Sequence, residues 1–216
     1  MIEKYFNATN FSNTEEFAKG CHIHVPDNFN FAYDVIDAWA EETPDKLALL
    51  WTSERGEELR FTFKDLKEQT DQAAAYLQSL GIGHGDKVML ILKRHYQWWL
   101  AMIALHKLGA IAIPATHMLT KHDIVYRNER ASVKAILCVN DEYVTGQIKA
   151  AMAESPTVQV LVAVNSLSEE EKTVPEGFHD WNKEWKQASQ FQRPPFVNSN
   201  EDTLPVSYTH LRAHET

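Results

Sequence analysis

Several stretches of the chain combine residue types that could do chemistry. Gly81-Ile82-Gly83-His84-Gly85-Asp86 has the glycine density of a phosphate cradle. It follows a helical pattern and precedes a strand, however, whereas a cradle needs a strand, a glycine turn and then a helix N-terminus. The segment therefore reads as a helix C-cap and tight turn. Cys21-His22-Ile23-His24 offers thiol and imidazole ligands, but alternate residues of an extended arm point to opposite faces and no second ligand cluster accompanies them. Trp98-Trp99-Leu100 is either a helix face anchored in the core or a lid over an apolar pocket. Adjacent helical positions point about 100° apart, which favours the core reading. The segment Ile113–Ala131, IPATHMLTKHDIVYRNERA, is the most informative, because a strand end, a proline and a polar turn lead into a capped helix. His117 and Met118 sit at that turn, where ligands bind at the carboxyl edge of a parallel sheet. Arg127 and Glu129, on the helix that follows, read as charges salt-bridged at the surface.

The elements that would position these residues follow from periodicity. Phe31, Val35, Ile36 and Trp39 fall on one helical face ending before Pro44. Leu47–Trp51 and Glu58–Phe61 form a hairpin turning at Gly56, and Thr62 with Asp65 caps a helix that closes at Gly81. Lys87–Lys93 is a short apolar run of the kind buried on both faces of a parallel sheet. Gln97–Leu108 is a helix stopped by Gly109, Ile111–Ile113 a strand, and Thr120 with Asp123 caps a helix to Ala131. Ala135–Val139, Glu142–Met152, Val158–Val164 and a helical segment from Trp181 to Ala188 continue the alternation. Strands alternating with helices at this spacing predict an α/β fold, a mainly parallel doubly wound sheet with helices on both faces. Residues 1–30 read as an arm with little internal structure.

Composition narrows the partners. Thirty acidic against 21 basic residues give a net charge of −9, the wrong sign for binding nucleic acid or an anionic membrane in bulk. The two cysteines, Cys21 and Cys138, are too few for a disulfide framework, which predicts a reduced, cytoplasmic protein. No apolar run approaches the ~20 residues of a membrane span. With 44% hydrophobic and 11% aromatic residues, the 216-residue chain can build a substantial core.

Taken together, PDKLALLW, FTFKDLKEQTDQAAAYLQSLGIGHGDKVMLIL and YQWWLAMIALHKLGAIAIPATHMLTKHDIVYRNERASVKAILCV closely resemble the N-terminal part of AMP-forming acyl-CoA synthetases, above all the medium-chain branch of the adenylate-forming superfamily. Pro44 to about Asp141 carries the likeness. The resemblance implies a two-step ligase. A carboxylic acid attacks the α-phosphate of ATP to give an acyl-adenylate and pyrophosphate, and the CoA thiol then displaces AMP, with Mg2+ and a phosphate loop countering the charge that develops. It also implies that the turn after Ile113-Pro114 faces CoA: relatives often carry Gln where this chain has Met118, and the neighbouring His117 is the donor available in its stead.

The same resemblance makes 31–204 the N-terminal portion of the AMP-binding large domain. The family's phosphate loop follows a segment like Asn200–Leu204, and here VSYTHLRAHET stands in its place. Residues 206–216 resemble read-through of a sequencing-library adapter, so 205–216 is expected to be an artefactual tail without a fold of its own. His210 and His214 lie in that tail and carry no weight as ligands. The 216-residue chain itself is expected to hold no catalytic residue, to bind neither ATP, Mg2+ nor CoA, and to be inactive. Two alternatives remain open: a non-catalytic α/β binding module, and an adenylating domain that loads a carrier protein.

Overall fold

The computed structural model describes residues 2–165, 172–196 and 198–203. The expectation for 206–216 lies outside the described residues. Among them, five strands form the central sheet: β3 (Lys87–Ile91), β4 (Ile111–Pro114), β5 (Ala135–Val139), β6 (Val160–Val164) and β7 (His179–Asp180), in spatial order β4-β3-β5-β6-β7. Every pairing in it is parallel. Strands β3 and β5 are buried almost throughout, as their unbroken apolar runs require when both faces are covered.

A separate hairpin of β1 (Leu47–Thr52) and β2 (Glu58–Thr62) precedes the sheet, with Gly56 at φ 83° in the turn that only glycine enters freely. Helix α3 (Phe63–Ser79) opens on a reciprocal capping box in which Thr62 Oγ1 accepts from the Asp65 amide and the Asp65 carboxylate accepts from the Thr62 amide. Helix α4 (Gln97–Leu108) stops at Gly109 in the left-handed region, φ 66°. Helix α5 (Lys121–Ala131) opens on a second capping box, Thr120 with Asp123, and α6 (Glu142–Ala151) is capped by Asp141.

Connectivity fixes the layers. The chain leaves β3 for β4 on one side and then returns past β3 to β5 on the other. Right-handed crossovers running in opposite directions place their helices on opposite faces. Accordingly α4 packs with α3 on one face, while α5 and α6 pack together on the other. The doubly wound assignment holds.

Four local features differ from the expectations. The arm is more ordered than predicted: it carries α1 (Thr14–Gly20), capped by Asn13, pairs Phe6 with Ile23 and buries Tyr5. The predicted helix after Asn30 is a π-helical segment, Ala32–Asp37, followed by α2 (Ala38–Glu42). Its wider turn brings Ala32 and Ile36 inward and leaves Phe31 exposed, which the 3.6-residue period could not anticipate. Strand β6 begins at Val160 rather than Val158. Strand β7, only two residues long and lacking an apolar run, gave no signal; it leads into α7 (Trp181–Glu184), whose Trp181 is fully buried with its ring edge-on to Tyr76 of α3.

Candidate functional site

In an open parallel sheet, a crevice forms beyond the carboxyl ends of adjacent strands whose following loops depart to opposite faces. Here β3 is the odd strand. The loop after it leads to α4, while those after β4 and β5 lead to α5 and α6. The residues that follow these three strands are Lys93-Arg94-His95, Ala115–Leu119 and Asn140-Asp141.

The β5 and β6 end of this edge is closed. Buried Asn140 donates through Nδ2 to Asn165 Oδ1 at 2.9 Å, and Asn165 donates to the Lys172 carbonyl at 2.9 Å. The Asn165 amide in turn donates to Asn182 Oδ1 at 3.0 Å. Paired amides need two donors and two acceptors each, and this ladder supplies partners that a buried asparagine would otherwise lack. The β3 and β5 side is bridged by Lys93 Nζ to Asp141 Oδ2 at 3.0 Å. That ammonium, with the amides of Val144 and Tyr143, holds the Asp141 carboxyl below the usual carboxylate range against the opposing effect of burial.

The β4 side remains open. His117 and Met118 lie on the exposed turn that leaves β4, with Met118 68% exposed and its amide donating to Thr116 Oγ1 at 3.3 Å. Immediately after the turn, Leu119 is buried and Thr120 caps α5, so the exposed pair is held between an anchored strand and an anchored helix. Arg127 donates to the Asp123 carbonyl at 3.1 Å and lies 3.7 Å from its carboxylate, the helix-surface pairing expected of it.

Next to this crevice is a groove of 380 Å³ whose walls include Trp51, Lys93, Arg94, Trp98 and Trp99. Trp98 is half-buried and packs against the core, as expected, whereas Trp99 is 48% exposed, which corrects its assignment there. Leu100, Ala101 and Ala104 take the buried positions of α4 instead, and the two indoles lie edge to face at 4.9 Å. On the arm, Cys21 is half-buried while His22 and His24 are exposed. Among the described residues no three His, Cys, Asp or Glu side chains gather to hold a metal ion. Cys138, buried on β5, has its thiol pushed up by burial and is protonated, hence no nucleophile. No helix among them is long and apolar enough to cross a membrane.

The AMP-binding enzyme family matches this chain over residues 36–209. The chain belongs to that family. Its sequence is 34% identical over 150 residues to acyl-coenzyme A synthetase ACSM5, mitochondrial, of Rattus norvegicus, covering 67% of this chain and 26% of the relative. It is 34% identical over 178 residues to acyl-coenzyme A synthetase ACSM3, mitochondrial, of Mus musculus, covering 79% of this chain and 30% of the relative. The crystal structure of Brucella canis acyl-CoA synthetase shares the fold at a TM-score of 0.69 and 20% identity, over 83% of this chain and 31% of that one. This AMP-binding chain thus spans under a third of the length of these relatives, and the match to the family ends inside the 206–216 segment.

Proposed function

We propose that this AMP-binding chain is part of an ATP-dependent acid–CoA ligase, with residues 31–204 contributing the N-terminal portion of its large domain behind an arm of residues 1–30. The whole protein converts a carboxylic acid to an acyl-adenylate with release of pyrophosphate, then passes the acyl group to the CoA thiol. One observation carries this reading: the family match covers the strands and turns that surround the open side of the β3–β4 crevice, and relatives matched over 150 and 178 residues are acyl-CoA synthetases by name.

In this reading His117 and Met118 face CoA. His117 supplies a hydrogen-bond donor or acceptor and Met118 an apolar contact at the rim of the crevice. Mg2+ and the phosphate-binding backbone amides belong to parts of the whole protein outside 31–204, so the 216-residue chain alone binds none of ATP, Mg2+ or CoA and does not turn over. Residues 205–216 are read as an adapter-derived tail. Net charge −9 and two cysteines support a cytoplasmic protein without nucleic acid partners.

Sequencing a longer clone through codon 204 tests the assignment. The expected result is a Ser/Thr/Gly-rich phosphate loop in frame beyond that codon, in place of VSYTHLRAHET. A genomic stop at the end of that string would favour the non-catalytic binding module.

A further inference from the structure

We infer that Asn198 and Asn200 are positioning residues for the ATP half-reaction: they tie the chain that leads out past residue 203 to the N-terminal arm, so that the arm sets where the following segment enters the site. This rests on the ligase reading above, in which the phosphate loop lies beyond Leu204. The contacts join parts of the sequence that local structure does not bring together. Asn198, only 7% exposed, donates through Nδ2 to the Phe29 carbonyl, 169 residues away. The Asn200 amide donates to the Asp27 carbonyl at 2.9 Å, and its Nδ2 to the Pro26 carbonyl at 2.8 Å. All three acceptors belong to one turn of the arm, which the Phe29 amide closes onto the Pro26 carbonyl at 3.1 Å. An ionised Asp in place of either asparagine would have no proton to donate and would face a carbonyl instead.

The arm side of this clasp is itself anchored. Buried Asn30 donates to the carbonyl of His106, in the last turn of α4, at 2.9 Å and accepts the Ala32 amide on Oδ1 at 3.0 Å. Tyr5 lies edge-on to Phe29 at 5.5 Å and donates to the Asp34 carbonyl at 3.1 Å. On the opposite side the Phe196 ring lies against Gly109 and 4.8 Å from the His84 ring, and His84 Nε2 stands 3.8 Å from Asp202 Oδ2. Between these anchors the chain is a closed turn: the Ser199 amide donates to the Asp202 carboxylate at 2.8 Å and the Asp202 amide to the Ser199 carbonyl at 3.0 Å. The segment is thus held from two directions beside the end of α4. A buried amide stripped of its acceptor is costly, so Asn198 keeps arm and segment together. Groups that follow a fixed point sample fewer positions and lose less freedom on engaging a ligand.

Two measurements test this. In the 216-residue chain, hydrogen exchange followed by NMR reads the Asn200 amide. Exchange there should be slow in the unsubstituted chain and about tenfold faster both in Asn198→Asp and in a chain lacking residues 2–28, while the amides of β3 and β5 stay protected and report an intact core. Exchange at Asn200 unchanged in both would overturn the clasp. In a longer clone, Asn198→Asp should raise the KM for ATP in pyrophosphate release about tenfold, the scale of one lost hydrogen bond, and Asn200→Asp, which keeps its amide bond, should raise it less. The KM for CoA should stay within about twofold in both. A merely structural role would lower kcat with the fraction of folded enzyme and leave both KM values alone. That pattern, or equal rises in the two KM values, would overturn the positioning role. If the unsubstituted longer protein releases no pyrophosphate, the ligase reading falls and the role in the ATP half-reaction falls with it, whereas exchange at Asn200 still decides the clasp.

Discussion

The ammonium of Lys107, on α4 and fully buried, lies 2.6 Å from a carboxylate oxygen of Asp71 on α3. Asp37, the last residue of the π-helical segment, approaches the same nitrogen at 2.8 Å, and Lys67 joins Asp71 from outside at 2.9 Å. Three elements are thus pinned at one charge. Burial still pushes the Asp37 carboxyl up, more than the ammonium beside it pulls it down. Removing Lys107 leaves two carboxylates facing each other without their shared cation. Lys107→Met should therefore lose about 3–5 kcal/mol in urea unfolding, the range for breaking a buried pair from one side. Adding Asp37→Asn and Asp71→Asn should recover part of it, since an apolar or neutral core avoids the stranded charge. A loss under ~1 kcal/mol for the single variant would mean that water reaches the site.

Gly109 ends α4 at φ 66°, and a Cβ there would lie 2.5 Å from the Phe196 ring and 2.7 Å from His84. Gly85, at φ 77°, has nothing within 4 Å of the same position. Gly85→Ala should cost about 1 kcal/mol from backbone conformation alone. Gly109→Ala should cost more, and the excess should shrink in a Phe196→Ala background if the ring contact is its cause. Equal losses at the two glycines would show that Phe196 moves aside freely.

The acid limb of stability should be set by the cap carboxylates. Hydrogen bonds from Thr62 and Thr120, first through the hydroxyl and then the amide, hold Asp65 and Asp123 below the usual carboxylate range, and Lys93 does so for Asp141. A depressed folded pKa means the unfolded chain binds more protons, so this stability is complete above about pH 4 and drains away as pH falls through the folded values. Asp37 has the opposite sign: its raised pKa lowers stability as pH rises past the ordinary carboxylate value. Urea midpoints taken downward from about pH 6 should fall below about pH 4, and less steeply in Asp65→Asn/Asp123→Asn. An unchanged slope in that double variant would contradict the assignment.

In a longer version of the protein, His117→Ala should raise the KM for CoA about tenfold while leaving the pyrophosphate-releasing half-reaction within about twofold, the loss of one polar contact to one substrate. Met118→Gln should lower that KM. Equal effects on both half-reactions would place the turn outside the CoA path.

Much of this architecture was readable before any coordinates, because its signals are local. The capping boxes at Thr62 and Thr120, the stop at Gly109 and the unbroken apolar runs of β3 and β5 each report on a few neighbouring residues. The turn holding His117 and Met118 was legible for the same reason. What escaped was set by tertiary context. Lys107 sits between helical leucines in sequence and gives no hint of the two carboxylates, 70 and 36 residues away, that make its burial tolerable. The 100° offset between adjacent helical positions argues against Trp98 and Trp99 lining one cavity, yet both border the same groove. Trp98 still packs against the core, while Leu100, Ala101 and Ala104 take the buried positions of α4 and Trp99 is left exposed. The Asn140–Asn165–Asn182 ladder joins three strand and helix ends that no spacing rule connects.

The proposal that this AMP-binding chain is part of an acid–CoA ligase whose phosphate-binding machinery lies outside residues 31–204 is tested most directly by pyrophosphate release. The 216-residue chain and a longer clone would be compared at matched concentration with ATP, Mg2+, CoA and a panel of short and medium carboxylic acids. The account predicts pyrophosphate and acyl-CoA from the longer protein with at least one acid, and neither from the 216-residue chain. Turnover by the 216-residue chain would contradict it, as would a folded longer protein that neither binds ATP nor releases pyrophosphate with any acid.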